Sequence, residues 1–270
     1  PKIVAEVDGE KKRIFAWETD ADSEEYRDFL HRFAAALTAF IDRKGIRKFC
    51  RFHVSDEPSL EQYEVYKKRA NLIAEIFPGF KVIDALSDIE FFDKGAVKYP
   101  IPSEDHVEDF VGKVDEFWTY YCCGQHNKNV PNRFFAMPSA RNRILGTLLY
   151  KYNATGFLQW GYNYWYSQFS KHEIDPFTVT DAGKAFPSGD AFVVYPGEDR
   201  QPINSLRFKV FYDGLQDLAA MRLLESLVGR EKALEIAIQD DELTFQKYPH
   251  GSSYLLALRE RVNKAIKENI

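Results

Sequence analysis

The chain has 270 residues, of which 45% are hydrophobic, 15% aromatic and 29% charged, with a net charge of -5. This length and apolar content suit one large α/β domain or two small ones. The acidic balance argues against a nucleic-acid partner, and no apolar run approaches the length of a membrane span.

In chain order, residues 3–7 and 13–17 are apolar runs that flank Asp8-Gly9, a hairpin turn signal. The opening Pro1-Lys2-Ile3-Val4 does not form a signal peptide. Residues 23–44 carry Phe29, Phe33, Leu37, Phe40 and Ile41 at helical spacing, with Ser23 as N-cap and Gly45 as the stop. A strand over residues 48–54, a helix over 59–77 ended by Pro78-Gly79, and a strand over 81–86 follow. Residues 107–114 predict a short helix, 116–123 a strand, 139–152 a helix, 154–160 a strand and 192–195 another strand. A long helix is expected over residues 205–228, with Leu206, Val210, Leu215, Leu218, Leu223 and Leu227 as its apolar positions. Two more helices are expected at residues 230–239 and 253–267.

Strands alternating with helices argue for parallel βαβ units. The expected fold is α/β, a (β/α)8 TIM-type barrel incomplete at its N-terminal strands. Residues 1–204 form the partial barrel in this reading, and residues 205–270 are helices packed on it. The strand count falls short of the eight that close such a barrel. The chain also opens in a strand with no helix before it, so the missing strands are expected upstream of Pro1.

There are three cysteines, Cys50, Cys122 and Cys123, an odd number with an adjacent pair, which suggests no disulfide framework. Cys50 and Cys122 read as buried thiols. A zinc site from Cys122, Cys123 and His126 would lack the usual Cys-x-x-Cys spacing. No P-loop or dinucleotide fingerprint occurs, so neither cofactor nor metal is expected.

In a barrel, the ends of successive strands converge on one pocket. The run Lys48-Phe49-Cys50-Arg51-Phe52-His53-Val54 ends in Ser55-Asp56-Glu57-Pro58, two adjacent carboxylates between a strand and a helix. Such acids are often only caps for the helix N-terminus. Paired carboxylates at a strand end also suit general acid/base work and glycoside hydrolysis. Trp118-Thr119-Tyr120-Tyr121 and Trp160-Gly161-Tyr162-Asn163-Tyr164-Trp165 end later strands. Aromatic faces suit the apolar C–H face of a sugar. Trp118 fits core and pocket equally, whereas Trp160 and Trp165, set among Gly, Asn and Tyr, favour the pocket. His53 suits either a sugar hydroxyl or packing, and Arg141, Arg143, Arg207 and Asp217 read as structural ion-pair residues.

Three blocks, residues 52–58, 117–124 and 156–165, together resemble the family-123 glycoside hydrolases. These are β-N-acetylgalactosaminidases. The resemblance runs through most of the chain and implies a glycan or glycoconjugate substrate. It implies Glu57 as general acid/base and Asp56 as the group that orients the substrate 2-acetamido function. That function then acts as the nucleophile through an oxazolinium intermediate, an exception to the usual two-carboxylate scheme. Such a mechanism needs Glu57 protonated near neutral pH, which apolar walls and a neighbouring Asp would favour. His53, Trp118, Tyr120, Tyr121, Trp160, Tyr162, Asn163 and Trp165 are the expected substrate-binding residues. Family members also carry an N-terminal β-sandwich, so an upstream domain or a second copy of the chain is the expected protein partner. The alternatives are a hydrolase of the same mechanism for another 2-acetamido sugar, or a non-catalytic carbohydrate-binding fragment.

Overall fold

The structure, a computed structural model, describes residues 3–16, 18–239 and 242–270. Trp17, expected to close the second strand, lies outside the described residues, as do Pro1, Lys2, Asp240 and Asp241. The chain divides into two units, Pro1–Asp84 with Phe91–Lys98, and Ala85–Glu90 with Tyr99–Ile270.

The first unit opens with a hairpin of β1 (Ile3–Val7) and β2 (Glu10–Phe15). Its two-residue turn holds Asp8 at φ 55° and Gly9 at φ 79°, the left-handed conformations that a tight hairpin needs. Glu6 pairs with Lys11 across the strands, opposite charges on a mostly exposed ribbon. Helix α1 (Glu24–Lys44) starts where the Ser23 hydroxyl accepts the Tyr26 N–H at 3.4 Å. It has Glu24 and Glu25 in its first turn, Arg43 and Lys44 in its last, and stops at Gly45, φ 65°. A two-residue strand, β3 (Arg51–Phe52), lies parallel to β4 (Lys81–Ala85). Between them runs α2 (Tyr63–Ile76), entered through a 3₁₀ turn at Leu60–Gln62. The small core packs Ala34, Ile76 and Phe77 with Leu30, Leu37, Phe52, Leu72, Ile73 and Phe80. Phe52 stacks on Phe77 with 3.8 Å between ring centroids, which fixes the end of β3. A single helical turn, α3 (Glu90–Asp93), brings Phe91 edge-on to Tyr66 at 5.2 Å.

The second unit contains β5 (Tyr99–Ile101), then β6 (Trp118–Tyr120) parallel to β7 (Gly156–Leu158). Helices α4 (Ser139–Arg143) and α5 (Leu145–Lys151) together occupy the expected 139–152 helix. Strands β8 (Val194–Pro196) and β9 (Pro202–Asn204) are antiparallel. Three helices close the chain, α6 (Leu206–Val228), α7 (Arg230–Ala237) and α8 (Ser252–Asn269). Helices α5 and α6 touch at two glycines. A Cβ added to Gly146 would overlap the Gly214 carbonyl, so the backbones meet with no side chain between them. Asp217 on α6 is buried and accepts from Arg143 Nε at 2.7 Å and from Arg259 Nη1 at 3.0 Å. The Arg143–Asp217 ion pair is therefore structural, and Arg259 of α8 joins it. Arg141 and Arg207 serve differently. Arg141 donates to Tyr248 Oη at 2.8 Å and the Val130 carbonyl at 2.8 Å, and Arg207 to the carbonyls of Gly189 at 2.6 Å and Phe192 at 2.8 Å.

The barrel expected from the sequence is not what forms. The described strands make small separate sheets of two or three strands, some parallel and some antiparallel, and no closed barrel. The architecture is mixed α/β. Apolar runs report burial and extended backbone, but ring closure depends on lateral pairing that a linear pattern does not encode. Several expected strands are shorter in the structure: residues 48–54 reduce to Arg51–Phe52 after a 3₁₀ turn at Arg47–Phe49, and residues 154–160 to Gly156–Leu158. Among the described residues no helix is long and apolar enough to cross a membrane.

Candidate active site

The Asp56-Glu57 pair stands on the loop between β3 and α2, in the first unit. The strand is short because its backbone is diverted. Continuing the parallel register Phe52↔Val82 by two residues brings Val54 opposite Asp84, the penultimate residue of β4. Asp84 is fully buried. Its Oδ1 accepts the N–H of Val54 at 2.9 Å and of Ser55 at 3.2 Å, in place of ladder carbonyls. Its Oδ2 accepts the Tyr66 hydroxyl of α2 at 2.6 Å. His53 Nδ1 lies 3.5 Å from Oδ1. One carboxylate thus ties together the end of β3, the loop and α2. A buried charge is tolerable when its lone pairs are filled in this way.

The electrostatics follow. The hydrogen bond to Asp84 raises the His53 pKa above its ordinary 6.5, burial opposes this, and the charges of Asp84 and Asp56 add to the rise. Burial pushes the Tyr66 phenol up strongly, with Asp84 reinforcing it.

Beyond this anchor the loop presents Asp56 and Glu57 to solvent, and Pro58 is buried. Glu57 has φ 43°, a left-handed conformation in a residue that precedes a proline. Pre-proline residues favour extended backbone, and a non-glycine residue at positive φ costs about 1–2 kcal/mol. Such strain is held only where the surroundings over-determine it, and it clusters at functional sites. Here the restraints are the Asp84 bonds on one side and a capping box on the other, with Ser59 N–H donating to Gln62 Oε1 at 3.0 Å. The apolar walls anticipated around Glu57 are not part of this loop: the side chain is exposed.

The aromatic candidates belong to the second unit. Trp160 is 43% exposed and Tyr162 is 50% exposed, so both present ring surface to solvent, and Asn163 is exposed. The Trp160 ring meets Tyr164 and Phe186 edge-on at 5.1 Å each, and its Nε1 donates to Asp190 Oδ2 at 3.0 Å. Asp190 is buried, and its pKa is pushed up to about 6 by burial, against the Trp160 hydrogen bond and the charge of Arg133. Trp165 is half-buried, its Nε1 donating to the Val194 carbonyl at 3.0 Å. Trp118 is half-buried, with its indole lying where a Cβ on Gly156 would be. Tyr120 and Tyr121 are buried, at 6% and 0% exposure. At Gly161 the backbone of residues 190–191 comes close, since a Cβ there would lie 2.6 Å from the Ala191 carbonyl oxygen.

Asp190 is a polar residue that the sequence reading missed, and Asp84 figured in it only as the first residue of a strand end, residues 84–88, with no role assigned. Each carries a signal in hindsight, a lone acid inside an apolar run: Val82-Ile83-Asp84-Ala85-Leu86 and Asp190-Ala191-Phe192-Val193. Among the described residues no group of three or more His, Cys, Asp or Glu is arranged to hold a metal ion. Cys122 Sγ instead accepts the Gly124 N–H at 3.4 Å, and His126 Nδ1 lies 3.1 Å from the Cys123 carbonyl.

Comparison with known proteins adds two findings. Residues 1–224 match the family model described as glycoside hydrolase 123, catalytic domain. A solved structure of a family 123 glycoside hydrolase from Clostridium perfringens, described in terms of glycolipid glycan hydrolysis, superposes with a TM-score of 0.63 at 16% identity. The match covers 96% of this chain and 46% of that chain, so the present chain spans about half of its relative's length. No curated protein matches the chain.

Proposed function

The chain belongs to glycoside hydrolase family 123, and on that premise we propose that it hydrolyses terminal β-linked N-acetylgalactosamine with retention, through participation of the substrate's own 2-acetamido group. The observation that carries this reading is the Asp56-Glu57 pair, exposed and adjacent on a loop whose backbone is anchored by Asp84 and left-handed at Glu57. Glu57 protonates the departing glycosidic oxygen and then takes a proton from the incoming water. Asp56 accepts the acetamido N–H, which raises the nucleophilicity of the acetamido oxygen and aims it at the anomeric carbon. Attack closes an oxazolinium ring as the leaving group departs, and water then attacks the anomeric carbon from the face that the leaving group vacated, breaking the ring C–O bond and restoring the β configuration. His53, beside Asp56, is suited to a sugar hydroxyl. In the second unit Trp160 and Tyr162 offer exposed ring faces of the kind a sugar stacks on and Asn163 offers hydrogen bonds, while of the other candidate substrate-binding residues Trp118 and Trp165 are half-buried and Tyr120 and Tyr121 buried. The glycolipid glycan ascribed to the Clostridium protein is a candidate class of natural substrate.

The test uses an aryl N-acetyl-β-galactosaminide and its glucosaminide counterpart with the 270-residue chain. Faster release from the galactosaminide, a β-configured first product by NMR, and competitive inhibition by an N-acetylgalactosamine thiazoline are expected. An ester trapped on any Asp or Glu by a fluorosugar would overturn the substrate-assisted step. Preference for the glucosaminide would reassign the sugar.

A further inference from the structure

A second feature of the first unit is not used by that mechanism. The segment before α1 and the facing turns of α1 and α2 enclose a cleft of about 530 Å³, within the range of small-ligand sites. Its apolar side is formed by Tyr26, Leu30, Val54, Leu72 and Ile73, and its polar rim includes Arg27, Lys68, Arg69, Asp20 and Asp22. Lys68 Nζ bonds Asp22 Oδ2 at 2.8 Å and ties the segment to α2. That bond, together with the charges of Arg69 and Arg27 and against burial, holds the Asp22 carboxyl below its ordinary range. Asp20 Oδ1 accepts the Asp22 N–H at 2.9 Å, which leaves its other oxygen for a ligand hydroxyl.

Three cations therefore face two carboxylates, and the pairing is incomplete. Lys68 is matched, but the guanidinium groups of Arg27 and Arg69 make no hydrogen bond or ion pair among the described residues. A guanidinium is a fork of donors matched to the oxygens of a carboxylate or sulfate. A half-buried tyrosine ring and aliphatic side chains beside such a group suit the C–H face of a sugar ring. We propose that this cleft binds an acidic sugar residue, its carboxylate or sulfate ester held by Arg27 and Arg69 and its ring resting on Tyr26, Leu72 and Ile73. Val54 lines the cleft and belongs to the loop that carries Asp56 and Glu57. The choice of a sugar rests on the glycosidase reading, whereas the anion requirement stands on the arginines.

Calorimetric titration of the 270-residue chain with three otherwise matched oligosaccharides tests this, one neutral, one bearing a uronate and one bearing a sulfate ester. At least one acidic ligand is expected to bind about ten-fold or more tighter than the neutral one, and the tighter of the two identifies the group. The advantage should shrink in high salt and vanish in the Arg27→Gln/Arg69→Gln variant. Arg69→Gln alone, at an exposed position of α2, supplies the same reading if the double variant is poorly folded. Equal binding of neutral and acidic ligands, or an advantage unchanged in these variants, would overturn the proposal. Because binding and not hydrolysis is read, an inactive chain that still selects the acidic ligand would refute the glycosidase reading alone.

Discussion

Asp84 in the first unit and Glu104 in the second are both fully buried carboxyls, and their surroundings are opposite. Asp84 accepts two backbone N–H groups and a tyrosine hydroxyl, and has His53 3.5 Å away. Neither oxygen of Glu104 has a hydrogen-bond partner. Burial pushes the Glu104 pKa well up, the neighbouring Asp105 adds to this, and Arg141 opposes it. The contrast separates two uses of a buried acid. A satisfied carboxylate can fasten backbone segments, whereas an unsatisfied one stays protonated and serves mainly as volume.

The largest effect should come from removing the fastener. Asp84→Ala leaves two loop amides and the Tyr66 hydroxyl without their acceptor, and the chain should lose about 3–5 kcal/mol in denaturant unfolding. A loss below about 1 kcal/mol would place the anchor of the loop elsewhere. The milder Asp84→Asn keeps an acceptor and removes the charge. In the native chain His53 should titrate above 6.5 by NMR, and the Asn variant should bring it down. The sign for stability follows: the elevated His53 pKa contributes stability that is complete below about 6.5 and is lost as pH rises through the native value. An unmoved His53 titration in the variant would remove Asp84 as the cause.

Glu104→Met should do little, a change within about 1 kcal/mol or a slight gain, because a neutral acid without partners is exchanged for apolar volume. It should also alter the pH profile. Native Glu104 keeps its proton where the unfolded chain releases it, so its contribution is full below about 4.5 and declines as pH rises above that value. The Met variant should lack that decline in pH-dependent unfolding. A loss of several kcal/mol in Glu104→Met would mean that the carboxyl is satisfied in solution and would erase the contrast with Asp84.

The parts legible in the sequence were those that local chemistry fixes. Asp8-Gly9 marked the hairpin, and Ser23 and Gly45 marked both ends of α1. The end of β3 was harder to read, because it is set by a side chain on another strand, Asp84, and not by Val54 or Ser55 themselves. Helix α6 misled in another way. Its leucines suggested a packing face, yet Leu206, Leu215, Leu223 and Leu227 are exposed, whereas Gly214, Asp217, Ala220, Met221 and Leu224 are buried. Close approach at Gly146 and Gly214 and the Asp217 ion pairs chose that face, and hydrophobicity alone does not register either. The barrel failed for the same kind of reason, since closure is decided by which strand edges pair. In the candidate site, the adjacent acids and the exposed aromatics stood out by residue type, but the Asp84 network that holds the acids did not.

Turnover of two aryl N-acetyl-β-galactosaminides, one with a poor and one with a good leaving group, by Glu57→Gln is the most direct test of Glu57 as the acid/base of this chain. The poor leaving group, which needs a proton, should be released about 10²–10⁴-fold more slowly than by the unaltered chain, and the good one should suffer less. Unchanged turnover of both substrates would contradict the assignment.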